Sequence, residues 1–242
     1  MLFRSAGLPI NQRAHYMDAM NTTLVALHAI DFAAIGLGGY GKVGGYLARQ
    51  IARWSQQYLA DDVAGRHPAM DRLVSWLPDH MPLAAATTIT HGDFRADNMI
   101  FHPTEPRVLA VLDWELSTLG DPLADFAYHV MMFRMPPDIL GGIAGLDLPA
   151  LGLPDEAAYV AAYCRRSGRG GIPDLNFYIA FNMFRFAAIL HGVKGRAARG
   201  TAASAEAHAI GDRFARVADL AWAQARQVAT PRGTEEWLGA PD

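Results

Sequence analysis

Between Thr87 and Asp113 the chain gives up helical periodicity for three short apolar runs, and any fold it adopts must accommodate that interruption. Thr87 to Thr90 is β-branched, and Asn98 to Phe101 and Val108 to Leu112 are too short to be helices. The last two are separated by His102-Pro103-Thr104-Glu105-Pro106-Arg107. Two prolines there fix φ and withdraw backbone donors, which makes the segment a turn. The runs predict small strands or a hairpin, framed by loops that carry the polar residues.

The flanking segments read as helix. From Asn11 to about Ile30, Met17, Met20, Leu24 and Leu27 step by three and four, predicting an amphipathic helix with Asn11 as N-cap after Pro9. His28 borders this stripe and reads as a packed helix histidine rather than a site residue. A glycine-rich connection, Gly36 to Gly45, leads into a second helix, Tyr46 to Leu59, with Leu47, Ile51, Trp54 and Tyr58 on one face. A third is expected from about Ala64 to Leu77, stopped by Pro78. Asp121-Pro122 gives an N-cap and a first-turn proline for a helix through about Phe133. Proline and glycine break up residues 136–154, and further helices are expected over 155–167, 174–196 and 203–228. In the last, Ile210, Phe214, Val217 and Leu220 form the stripe, and the tail from Thr230 is expected to be loose. No linker or repeat divides the 242 residues. The expectation is one α+β domain, mostly helical, with a small β insert.

Composition narrows the function. With 51% hydrophobic and 19% charged residues the chain suits a globular protein with a substantial core. A net charge of −3 gives no global attraction to nucleic acid. No apolar run approaches the roughly eighteen residues of a membrane span, and MLFRSAGLPINQR has no signal-peptide pattern. The lone cysteine, Cys164, excludes an internal disulfide framework. It fits a reducing, cytoplasmic setting and reads as a buried thiol.

The β insert carries the chemistry. His91-Gly92-Asp93 is followed by Asn98, in the pattern H-G-D-x-x-x-x-N, and Asp113 closes the next apolar run. Gly92 allows a sharp turn that can aim Asp93 into a cleft. Phosphoryl transfer needs one carboxylate to orient a hydroxyl and accept its proton, and a few hard oxygen ligands for magnesium. Asp93 suits the first task, and Asn98 with Asp113 the second. An aspartate alone at such a turn is ordinarily a local backbone acceptor. The ordered set is much more specific than any member.

The segment ITHGDFRADNMIF, with VLAVLDWELSTLGDPLADFAYHV, resembles the catalytic core of the aminoglycoside phosphotransferase family within the protein-kinase-like superfamily. It is most like the kinase domain fused in some proteins to an acyl-CoA dehydrogenase, and like that domain's stand-alone bacterial relatives. YMDAMNTTLVALHAIDF, GGYGKVGGYLARQIARWSQQY and FNMFRFAAILHGVKGRA extend the resemblance over nearly the whole chain, less specifically. It implies the C-terminal lobe of a kinase-like fold, with ATP as substrate and Mg²⁺ as cofactor. It implies Asp93 as catalytic base and Asn98 and Asp113 as magnesium ligands. His91 would brace the loop, Asp125 would tie the following helix to it, and Glu115 would stand beside the metal ligands. Arg95 and Asp97 are candidates to touch substrate or phosphate, against the plainer reading of solvated loop residues. The acceptor it implies is a hydroxyacyl-CoA-type or other small hydroxylated molecule. Asp138, Asp147, Asp155 and Glu156 are the residues that could line an acidic cleft for a cationic acceptor.

The resemblance also implies an N-terminal lobe, with its phosphate-covering loop and lysine, that this chain lacks. A feeble kinase is therefore expected, with self-association through the surface that lobe would cover. The alternative is a non-catalytic binding or scaffold module that retains the fold. Gly39-Tyr40-Gly41-Lys42-Val43-Gly44 matches G-x-G-x-x-G, but no strand-borne lysine follows it. It is expected to be a plain interhelical connection.

Overall fold

A computed structural model of the protein describes residues 8–83, 86–202 and 206–228. Eight helices are seen among them: α1 (Ile10–His28), α2 (Tyr46–Leu59), α3 (Pro68–Asp79), α4 (Pro122–Val130), α5 (Glu156–Arg166), α6 (Leu175–Ala198), α7 (Ala207–Gly211) and α8 (Phe214–Ala225). Four short strands, β1 (Thr88–Thr90), β2 (Met99–Phe101), β3 (Val108–Val111) and β4 (Thr118–Gly120), lie between α3 and α4. The expected α+β architecture, mostly helical with a β insert, is the one found. Among the described residues no helix is long and apolar enough to cross a membrane.

Helix α6 is the axis of the core. Every residue from Phe177 to Phe184 is buried, as expected of a helix apolar on all sides. It packs against α2, α4, α7 and α8, while α1 lies along α5. Helix α4 is buried along its whole length. Asp121 caps it by accepting from the Leu123 amide at 2.8 Å, with Pro122 in the first turn. In α2 the stripe of Leu47, Ile51, Trp54 and Tyr58 is buried as the periodicity requires.

The strands form two separate antiparallel pairs. β1 pairs with β4, placing Thr88 opposite Gly120 and Thr90 opposite Thr118. β2 pairs with β3, placing Met99 opposite Val111, with a bulge between Ile100 and Phe101.

Several boundaries differ from expectation. Helix α1 starts at Ile10 with Pro9 in the cap position, so Asn11 is inside the helix and not its cap. Helix α3 runs to Asp79 and carries Pro78 in its last turn. Residues 62–64 form a separate single turn, capped by Asp61. The helix expected over 203–228 is two, broken around Asp212 and Arg213. Of its stripe, Phe214 and Val217 are buried, while Ile210 and Leu220 are half-buried. The expected loose tail from Thr230 lies outside the described residues.

Candidate active site

The loop from His91 to Asn98 leaves β1 and enters β2. Gly92 has φ +83°, and a Cβ there would stand 2.8 Å from the Leu116 carbonyl oxygen, so both backbone and space demand glycine. Two buried charged side chains hold this turn. Asp125, in the first turn of α4, accepts from the amides of His91 at 2.7 Å and Gly92 at 2.8 Å. Arg185, from α6, donates to the Gly92 carbonyl at 2.7 Å. His28 Nε2 completes the set, 3.2 Å from Asp125 Oδ2, with His28 Nδ1 bonded to the Tyr163 hydroxyl at 2.9 Å. Burial alone would raise the Asp125 carboxyl pKa. The hydrogen bonds from His28, His91 and Gly92 outweigh it and hold that pKa below its ordinary value.

His91 is fully buried and braces the loop across to the hairpin. Its Nε2 donates to the Leu112 carbonyl at 2.8 Å, and its Nδ1 accepts from the Asp93 amide at 3.2 Å. Those two bonds select one tautomer. The Asp93 carboxylate has an anchor at each oxygen. Oδ1 accepts from the Tyr128 hydroxyl at 2.5 Å, and Oδ2 from Asn98 Nδ2 at 2.9 Å. Asn98 Nδ2 also donates to the Asp93 carbonyl at 2.9 Å. The amide is thereby oriented, and its Oδ1 has no protein partner among the described residues.

Asp113 stands at the same end of the hairpin as Asn98. The Leu112 amide donates to the Asn98 carbonyl at 2.8 Å, continuing the ladder one step past Met99 and Val111. Asp113 follows, in the left-handed region at φ 67°, ψ 52°. Its side chain is exposed, and among the described residues no hydrogen bond or ion pair reaches its carboxylate. An oriented amide oxygen and an unpartnered carboxylate suit a hard divalent cation such as Mg²⁺. Among the described residues no three His, Cys, Asp or Glu side chains converge on a metal position. A cation held here would take its remaining ligands from phosphate oxygens and water.

Residues 2–178 match the model of the phosphotransferase enzyme family, APH. The chain belongs to that family. Acyl-CoA dehydrogenase family member 10 of Mus musculus is 46% identical over 218 residues, covering 89% of this chain and 20% of the mouse protein. A solved structure from Ralstonia eutropha, described as a candidate aminoglycoside phosphotransferase, shares 50% identity with a TM-score of 0.90. It covers 94% of this chain and 70% of its own. The macrolide 2′-phosphotransferase of Brachybacterium faecium superposes with a TM-score of 0.51 at 22% identity, covering 86% of this chain and 61% of that one. That last likeness is one of fold, a kinase-like phosphotransferase fold. The chain spans about a fifth to a quarter of the length of the curated relatives it matches.

Within this member of the phosphotransferase family the remaining candidates are placed differently. Arg95 and Asp97 form an ion pair with each other, so neither is turned wholly to a ligand. Glu115 is exposed in the single turn Trp114–Leu116 that follows Asp113. The G-x-G-x-x-G match lies between α1 and α2, as expected of an interhelical connection. Its Gly41 packs so closely on β4 that a Cβ would meet the Leu119 amide nitrogen at 2.6 Å. The four carboxylates suggested for an acidic cleft are engaged locally. Asp155 caps α5, Asp147 accepts from the Ala150 amide, Glu156 pairs with Arg134, and Asp138 pairs with Arg216. Cys164 is buried, and burial raises its thiol pKa, as fits an inert thiol.

Three residues of the site were not expected from the sequence: Tyr128, Arg185 and His28. Each lies on a helix whose buried face is mainly apolar, but buried Arg13, Asn21, His129 and Asn182 lie on the same helices, so polarity on such a face does not single the three out.

Proposed function

We propose that this chain transfers the γ-phosphoryl group of ATP to a hydroxyl of a small molecule, with Mg²⁺ bound to Asn98 and Asp113 and with Asp93 as proton acceptor. The observation that carries the reading is the doubly anchored Asp93 carboxylate beside an oriented Asn98 amide, with the unpartnered Asp113 at the same hairpin end. The acceptor oxygen forms a bond to the γ-phosphorus while the bond from phosphorus to the β–γ bridging oxygen breaks. The hydroxyl proton passes to Asp93, and ADP leaves with the bridging oxygen. Because the transition state is loose, Asp93 need not be a strong base; it must be correctly placed. His91, Asp125 and Arg185 supply that placement through the backbone of the loop. When bound, Mg²⁺ neutralises phosphate charge and fixes the phosphate chain.

For the acceptor, the match to a protein named as an acyl-CoA dehydrogenase family member favours a hydroxyacyl-CoA-type molecule. The 242 residues contain two lysines, Lys42 in a loop and Lys194 on α6, neither borne on a strand beside the site. We therefore also propose that these residues alone turn ATP over feebly, well below the ~1–100 s⁻¹ of ordinary kinases. The test is phosphate transfer from radiolabelled Mg-ATP, together with calorimetric Mg-ATP binding. Asp93→Ala is expected to lower transfer by about 10²–10⁴ and to leave Mg-ATP binding largely intact. Transfer that survives Asp93→Ala sinks the assignment of the base.

A further inference from the structure

We propose that Tyr128 is a positioning residue for phosphoryl transfer, holding the Asp93 carboxylate in one orientation with Oδ1 tied to α4 and Oδ2 turned to the Asn98 side. This rests on the reading of Asp93 as the proton acceptor. The family motif that locates Asp93 and Asn98 contains no tyrosine, so Tyr128 is assigned by geometry alone.

The contact is short and charge-assisted. At 2.5 Å the Tyr128 O–H to Asp93 Oδ1 distance lies at the tight end for a hydroxyl donating to a carboxylate. The donor itself is immobile. Tyr128 is buried on a helix that is buried throughout, and the Arg185 guanidinium carbon sits 5.3 Å from its ring centre. Burial, and after it the Asp93 charge, push the phenol pKa well above its ordinary value, so the hydroxyl remains a donor at any working pH. Tyr128 follows Asp125 by three residues, which puts both on one face of α4. One helix face thus grips the loop twice, by the Gly92 amide and by the Asp93 side chain.

A loose phosphoryl-transfer transition state makes little demand on the strength of the base, but it does not tolerate a misplaced one. The terminal torsion of an aspartate is broad, so one anchor from Asn98 leaves the carboxylate free to swing. A second, rigid anchor removes that freedom.

The experiment removes one oxygen atom. In Tyr128→Phe, single-turnover hydrolysis of radiolabelled Mg-ATP, with water as acceptor and protein in excess, is expected to slow roughly 10–100-fold. Half-saturating Mg-ATP should change less than about two-fold, because the Tyr128 hydroxyl bonds to Asp93 and to neither of the candidate metal ligands, Asn98 and Asp113. A crystal structure of Tyr128→Phe should show the Asp93 carboxylate rotated from its wild-type position. Three results overturn the proposal: an unchanged rate, a fall in rate matched by parallel losses in affinity and melting temperature, or an unmoved Asp93 in the variant crystal. If wild-type hydrolysis is too slow to read, the crystal structure decides alone. Asp93→Asn run alongside separates the two claims. Loss in Asp93→Asn without loss in Tyr128→Phe defeats only the role of Tyr128, whereas no loss in Asp93→Asn defeats the reading on which it rests.

Discussion

Acidification from pH 7.5 to pH 5 is expected to weaken the fold, chiefly through His129, which lies on α4 directly after Tyr128. The ring is 1% exposed, and neither nitrogen makes a hydrogen bond among the described residues. It is flanked by the rings of Phe94 and Tyr159, at centroid distances of 5.8 and 5.4 Å. Burial pushes its pKa down from 6.5 to about 4, although the nearby Phe94 backbone and the Asp125 charge pull weakly the other way. Between those values the unfolded chain binds a proton that the folded chain refuses, so stability falls as pH falls. Over the full window the loss is about 3 kcal/mol, and by pH 5 about 2 kcal/mol of it has occurred. That is a large part of a typical stability of ~5–15 kcal/mol. Buried His191, whose pKa burial also lowers, contributes in the same direction. Asp121, whose carboxyl pKa burial raises, contributes oppositely as pH falls through the carboxylate range. A comparison of variants is therefore needed. His129→Leu replaces the ring with an apolar side chain of similar size and sacrifices no hydrogen bond. Urea unfolding of both proteins at pH 7.5, 6 and 5 should show that the variant loses about 2 kcal/mol less than wild type across that range. Parallel pH dependences in the two proteins refute the reasoning.

Two further outcomes concern the loop and the hairpin end. Gly92→Ala forces a side chain into the left-handed region and against the Leu116 carbonyl, and should cost about 1–3 kcal/mol in a urea melt; an unchanged midpoint would contradict the close approach. Asp113→Gly relieves left-handed strain but restores unfolded-state freedom, so stability should hold or rise by up to about 1 kcal/mol. The same variant should lose the Mg²⁺-dependent part of ATP binding in calorimetry, and retention of that part would remove Asp113 from the metal site.

What could be read in the sequence was what is local. The stripe of α2, the Asp121-Pro122 start of α4 and the proline turn of the β2–β3 hairpin depend on neighbours within a few residues, and all are found in place. The HGD-to-Asn98 spacing is local too, and the loop joins those residues directly. Strand β4 could not be read, because Thr118-Leu119-Gly120 has no alternation of its own and is a strand only through pairing with β1. Pro78 was expected to end α3, yet proline removes only its own amide, and a last turn survives that loss. Tyr128 and Arg185 have no local signature because they reach Asp93 and Gly92 across 35 and 93 residues, distances at which no periodicity speaks.

Those long separations bear on how the chain must assemble. The turn that presents Asp93 is held from α1 by way of His28 and Asp125, 97 residues apart, and from α6 by Arg185, 93 residues from Gly92. Closing loops of that length comes late, after local helices and the hairpin have formed. The loop therefore cannot take its working shape in a partly folded chain, since either clamp alone leaves one side of the turn unheld. Aspartate placement becomes a report on completed folding, and an intermediate that carries every side chain of the proposed site is expected to be inert until α1 and α6 have both docked.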